Sequence, residues 1–145
     1  MKKLMLSLVA LMAMLVPATA DNDRPIPPEQ LPEAAKTFIK ATFPEQTIAY
    51  AEIETGLVKT KYEARLADGT KIEFNGKGEW DKVDSKYKAV PAALVPEAIA
   101  QYVGANYPAA LIVKIDKELY GWDIELNSDL ELKFSSSGQL LGIDD

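Results

Sequence analysis

The sequence holds 22 aspartates and glutamates but no histidine and no cysteine. Carboxylates are therefore its main candidates for chemistry. Without histidine or cysteine there is no imidazole general base, no Ser-His or Cys-His nucleophile pair and no usual zinc-ligand set. No glycine-rich phosphate loop of the G-x-G-x-x-G or P-loop type occurs. Two carboxylates can act as acid and base, but here they fall at helix starts, turns and alternating strand positions, which argues against an enzyme. Hard cations remain, because oxygen donors suit calcium. The oxygen-rich spots are Asp21-Asn22-Asp23, Asp81 with Asp84, Asn127 with Asp129, and Asp144-Asp145. No twelve-residue EF-hand loop holds any of them, and turn chemistry accounts for each equally well. No cofactor is expected, and calcium is the one cation these donors admit.

Long charged side chains at alternating positions form the other candidate site. Lys59, Lys61, Glu63 and Arg65 alternate with Val58, Thr60, Tyr62, Ala64 and Leu66, and Lys71 and Glu73 alternate with Thr70, Ile72 and Phe74. Further on, Asp123 and Glu125 alternate with Trp122, Ile124 and Leu126, and Glu131 and Lys133 with Leu130, Leu132 and Phe134. Period-two alternation makes half-buried antiparallel strands, with one face on the core and one in water. These ten charged residues are the candidate partner-binding face, positive in the first half and negative in the second. The competing reading is cross-strand charge pairing on a solvated sheet.

The elements that carry these residues are written twice. The pattern P-x4-P-E-A-x6-A-x-[FY]-P runs over residues 27–44 and again 64 positions later over 91–108. Each copy reads as a helix beginning at Pro32 or Pro96, where a missing N–H is harmless. Glu33 or Glu97 complements the helix dipole in the first turn. Leu31, Ala35, Phe38, Ile39 and Thr42 make one apolar stripe, repeated by Val95, Ile99, Tyr102, Val103 and Asn106. Pro44 and Pro108 end the helices at the preceding aromatic. Four strand patterns follow each helix, punctuated by Asp68-Gly69, Asn75-Gly76-Lys77-Gly78, Asn127-Ser128-Asp129 and Ser135-Ser136-Ser137-Gly138. From Tyr62 and Trp122 onward the offset is 60, so the first strand turn, near Thr55 and Gly56, holds four extra residues. The fold class expected is α+β, with two tandem repeats of a helix plus a four-stranded antiparallel meander.

The chain opens with Met1-Lys2-Lys3, a short apolar run from Leu4 to Val16, and Ala18-Thr19-Ala20. That is the form of a secretory signal peptide cleaved after residue 20, too short for a membrane span. The expected divisions are signal peptide 1–20, loose leader 21–26, repeat 27–84, linker 85–89 and repeat 90–145. The protein is expected to be periplasmic or secreted, with no membrane insertion after cleavage. Formal charge is −6 for the whole chain, and an acidic surface is a poor match for nucleic acid.

An exported chain of two such repeats resembles the PepSY-like, β-lactamase-inhibitor-like family. The resemblance runs from Ile26 to Asp144 on the P-E-A helix, its [FY]-P ending and the glycine-bearing last hairpin. It implies two sheets joined into one curved surface, with both helices on one side. It also implies a non-catalytic binding module that inhibits or regulates a periplasmic or secreted hydrolase through its open sheet face. The alternative it implies is a calcium-responsive structural or regulatory protein; a carboxylate-dependent hydrolase is a third and weaker reading.

Overall fold

A computed structural model describes residues 22–145, so the expected signal peptide lies outside the described residues. The two helices are α1 (Glu33–Thr42) and α2 (Glu97–Asn106), each preceded by a single 3-10 turn, Pro28–Gln30 or Ala92–Leu94. Pro32 and Pro96 sit one position earlier than expected, capping the helices with extended ψ values of 145° and 142°. The Pro32 carbonyl still accepts the first helical bond, from the Lys36 N–H at 3.1 Å. Phe43 and Tyr107 close the helices ahead of their prolines, bonding back to the Ile39 and Val103 carbonyls. Of the predicted stripes, Leu31, Ala35, Ile39, Ile99 and Val103 are buried, whereas Asn106 is exposed. Its amide instead donates to the Tyr102 carbonyl.

The strands are β1 (Asp23–Ile26), β2 (Ile48–Thr55), β3 (Thr60–Leu66), β4 (Lys71–Asn75) and β5 (Trp80–Asp84), then β6 (Ile112–Glu118), β7 (Gly121–Leu126), β8 (Glu131–Ser135) and β9 (Leu140–Asp144). They form one antiparallel sheet of nine strands in sequence order, which corrects the expectation of two joined sheets. The junction is ordinary strand pairing between β5 and β6, with Lys82 opposite Asp116, Val83 opposite Ile115 and Asp84 opposite Lys114. Pairing there satisfies main-chain groups that two separate sheets would leave at open edges.

The expected loose leader is also corrected, because Asp23–Ile26 pairs along β2 as β1. Ile26 has only 8% of its surface exposed, so docking this strand removes an isoleucine from water. Pro25 is tolerated because β1 is an edge strand, where a missing donor breaks no ladder.

Both helices cover the same sheet face. Phe38 of α1 meets Phe74 edge-on at 6.0 Å, and Tyr102 of α2 meets Phe134 in the same way at 5.4 Å. Trp80 and Trp122, 6.2 Å apart, bridge the two repeats within one continuous core. Phe74 and Phe134 are fully buried, while Tyr62 and Trp122 face inward but are only half-buried.

Register shifts recur in both copies, between Ile48 and Tyr50 and between Ile112 and Lys114, then between Glu73 and Phe74 and between Lys133 and Phe134 where β4 and β8 meet their neighbours. A bulge inserts one residue and moves the alternation by one. Ile112, on the near side of the β6 bulge, packs on the core, as does Ile115 beyond it, while Leu111 is exposed.

Candidate functional site

The sheet face away from the helices carries the predicted charged residues, and its register lays them out in rows. One row crosses the strands as Glu52, Glu63, Glu73, Lys82, Asp116, Asp123 and Lys133. A second runs Arg65, Lys71, Asp84, Lys114, Glu125 and Glu131. Like charges stand opposite at several steps, as in Glu52, Glu63 and Glu73, and ion pairs form along and between the rows. Arg65 Nε donates to Glu63 Oε1 at 2.8 Å, and Lys71 Nζ lies 3.4 Å from Glu63 Oε2. Lys82 stands 3.9 Å from both Glu73 and Asp116. Lys114 reaches Glu125 at 3.6 Å, and Lys133 reaches Asp123 at 3.7 Å and Glu131 at 3.6 Å. Eight of the ten predicted residues are thus held in ion pairs, and Glu63 is 9% exposed under its two cations.

Lys61 is on the predicted face, but Lys59 lies in the turn before β3, closed by a Gly56 N–H to Lys59 carbonyl bond. Among the described residues neither has an ion pair within 4.0 Å. The expected positive first half is corrected as well. Glu52 and Glu54 of β2 and Asp84 of β5 share that face, so its strands show as much negative charge as positive. The second half remains acidic, with Asp116, Asp123, Glu125, Glu131 and Asp144 around Lys114 and Lys133.

At the end of the sheet where β3 begins and β6 ends, this face hollows into a groove of about 980 Å³. Residues 59–61, 73, 75–77, 79, 81–82 and 116–119 line it, so both repeats contribute. Its cations are Lys59, Lys61, Lys77, Lys82 and Lys117; its acids are Glu73, Glu79, Asp81, Asp116 and Glu118. Lys117 lies over the Trp80 ring at 3.9 Å, a cation–π contact. Leu119 of the β6–β7 turn lines it and is fully exposed, and Leu57 and Val58, which precede Lys59 in the β2–β3 turn, are exposed apolar side chains as well. Val58 had been expected inward. The one sequence signal for these tips was the change of offset from 64 to 60, which marked the first turn as longer.

Of the titratable groups shifted on this face, Asp116 and Tyr120 move furthest. Burial pushes the Asp116 carboxyl up to about 6, with Glu118, Asp123 and Glu73 adding to the rise and Lys82 opposing it. Tyr120 lies in the tight β6–β7 turn and is exposed, and its hydroxyl donates to Asp123. Burial, then that bond, pushes its phenol up to about 12.

Asp21 lies outside the described residues, and the other predicted oxygen-rich residues do not gather into one site. Asp84 Oδ1 accepts the Lys86 N–H within its own turn, and Asn127 Oδ1 accepts the N–H of Leu111 just before β6, so both oxygens serve main-chain groups. Among the described residues no three carboxylates converge as a metal site. No helix among them is long and apolar enough to cross a membrane.

The family model described as "Putative beta-lactamase-inhibitor-like, PepSY-like" matches residues 18–59 and 60–142. The break falls at the end of the longer β2–β3 turn. A periplasmic protein of the DUF2874 family from Bacteroides vulgatus is 41% identical, with a TM-score of 0.81, covering 88% of this chain and 100% of its own. A protein from Bacteroides thetaiotaomicron, described as "a putative calcium-regulated periplasmic protein", is 38% identical, with a TM-score of 0.81 over 85% of this chain and 97% of its own. A second B. vulgatus periplasmic protein, of unknown function, is also 38% identical, with a TM-score of 0.81 over 85% and 99%. No curated protein matches this sequence. The chain belongs to the PepSY-like family and is, like these relatives, a periplasmic or secreted protein.

Proposed function

We propose that the protein is a non-catalytic binding module that holds another periplasmic or secreted protein against its open sheet face, a hydrolase being the partner class that the family resemblance points to. The observation that carries this reading is the groove shared by both repeats, lined by the exposed Leu119 and by Lys59, which directly follows the exposed Leu57 and Val58. Fully exposed leucines beside a charged hollow supply what an interface needs, apolar anchors within a polar surround. Lys59 and Lys61 add charge that internal pairing has not consumed. Such charge acts mainly on encounter and orientation. The ion-paired carboxylates on the same face are explained by holding the sheet surface together.

Capture from periplasmic extract tests the reading. Wild type and a Lys36→Glu/Lys40→Glu variant on the helix side should retain the same specific protein. Lys59→Glu/Lys61→Glu and Leu57→Ala/Leu119→Ala should each lose it while keeping the wild-type melting temperature. Equal capture by all four would refute the groove. The alternative is calcium-responsive regulation, favoured by the description of the B. thetaiotaomicron relative. Its signature would be calcium binding tight enough to raise the melting temperature at micromolar metal.

A further inference from the structure

The internal repeat supplies a template for the last strand of the sheet. With an offset of 60, β9 is the copy of β5, and the match extends to individual pairs. Val83 faces Ile72 and Asp84 faces Lys71, just as Ile143 faces Leu132 and Asp144 faces Glu131. Both strands carry the same register shift, one step after Trp80 or Leu140. That irregularity does not prevent β5 from accepting a further strand, since β6 pairs with Lys82, Val83 and Asp84. The copies of those three residues are Gly142, Ile143 and Asp144, and among the described residues nothing pairs with them on the outer side. Val83 is 0% exposed and Ile143 is 47% exposed, a difference that follows from the missing neighbour.

The opposite edge of the sheet is treated differently. There β1 stands beside β2 in the way β5 stands beside β6: Ile26 faces Ala51, the copy of Ile115, and Pro25 faces Glu52, the copy of Asp116. Proline and the charged Asp23 and Arg24 make that edge a poor template for another strand. The β9 edge has neither proline nor lysine.

We propose that the β9 edge is a second binding site, which takes an extended segment of a partner protein by antiparallel strand addition. The β5–β6 junction defines the chemistry of the segment. An apolar residue faces Ile143, as Ile115 faces Val83, and a basic residue faces Asp144, as Lys114 faces Asp84. Glu131 beside Asp144, and Asp145 after it, reinforce the preference for a cation. The Ser85 N–H donates across to the Val113 carbonyl, and strand N–H groups alternate in direction. By that alternation the Val83 N–H points toward β6, and the Ile143 N–H points to the open side. Main-chain bonding gives the attraction and the side-chain pair gives the selectivity. This site is independent of the groove, since none of its residues lines it.

The probe is a capped synthetic peptide with the sequence of residues 111–118 of this protein, which carries the β6 pattern. Titrated into isotope-labelled protein, it should shift the amides of Gly142, Ile143 and Asp144 and leave those of β1 and of residues 59–61 in place. Ile143→Pro removes the open N–H at an edge position and should weaken binding about tenfold. Asp144→Lys should reverse the preference, so that a peptide with glutamate in place of Lys114 becomes the tighter ligand. Shifts confined to the groove or to β1, or an unchanged preference in Asp144→Lys, would overturn the proposal. So would self-association through β9 that the peptide does not displace, because the occupant would then be a second copy of the chain.

Discussion

Asp116→Asn is expected to stabilise the protein at neutral pH, although it removes one partner from an ion pair. In the folded chain the Asp116 carboxyl titrates near 6, against an ordinary value of 3.8, with burial the largest cause. A group raised in this way binds its proton more tightly in the folded state than in the unfolded one. Stability contributed by the neutral form is therefore complete below about pH 4 and is lost as pH rises through about 6. A shift of two units corresponds to roughly 3 kcal/mol at neutral pH. The side chain is 23% exposed, and solvent screening reduces this to an expected gain of about 1–2 kcal/mol. Asparagine mimics the neutral carboxyl, and Lys82 keeps Glu73 at 3.9 Å as its remaining partner. Urea unfolding of both proteins from pH 3.5 to 8 is the assay. The variant should be more stable at pH 7.5, and the two curves should converge below pH 4. A variant that is less stable at pH 7.5 would show that the Lys82 pair outweighs burial and would refute the reasoning.

Other consequences concern the core, the turns and calcium. Phe74→Ala and Phe134→Ala should each cost about 3–5 kcal/mol in denaturant unfolding, because both rings are fully buried, whereas the half-buried Tyr62→Ala should cost less. Each phenylalanine variant should still unfold in one transition; two transitions would mean that the repeats fold as separate units despite the continuous sheet. Gly78 and Gly138 have φ of +84° and +86°, and an added Cβ would lie 2.7 Å from Pro32 Cβ or 2.6 Å from Ala98 Cβ. Alanine at either position should lower the melting temperature by similar amounts, by straining the turn and pushing the helix start off the sheet. Calcium is expected to bind no tighter than roughly 10⁻⁴–10⁻³ M, the range of weak extracellular sites, and titration calorimetry would read a micromolar site directly.

The architecture was legible because it is encoded in periodicity and repetition. Proline-bounded helices, alternating strands and matching turn residues are local signals, and the offset change located the longer turn. Local alternation could not show the bulges, because an extra residue is set by pairing with the neighbouring strand. The β1 strand was obscured because Asp23-Arg24-Pro25 has loop composition; its pairing is set by the open edge of β2, a tertiary fact. The predicted charged residues share one sheet face apart from Lys59, yet the first half's expected charge is summed from only two of its strands, β3 and β4. Glu52 and Glu54 of β2 are not among the ten predicted residues, and leaving them out produced a positive half that the sheet does not have. The groove depends on how the ends of four strands curve together, which no single stretch of sequence expresses.

Lysine footprinting tests the central claim most directly. The folded protein is acylated briefly with and without periplasmic extract, recovered, and each lysine's modification is read by mass spectrometry. Lys36 and Lys40 report the helix side, and Lys59, Lys61 and Lys117 report the groove. The account predicts that extract protects the three groove lysines and leaves the two helix lysines unchanged. Protection of Lys36 and Lys40 with full reactivity at Lys59 and Lys61 would contradict it and move the binding surface to the other side of the molecule.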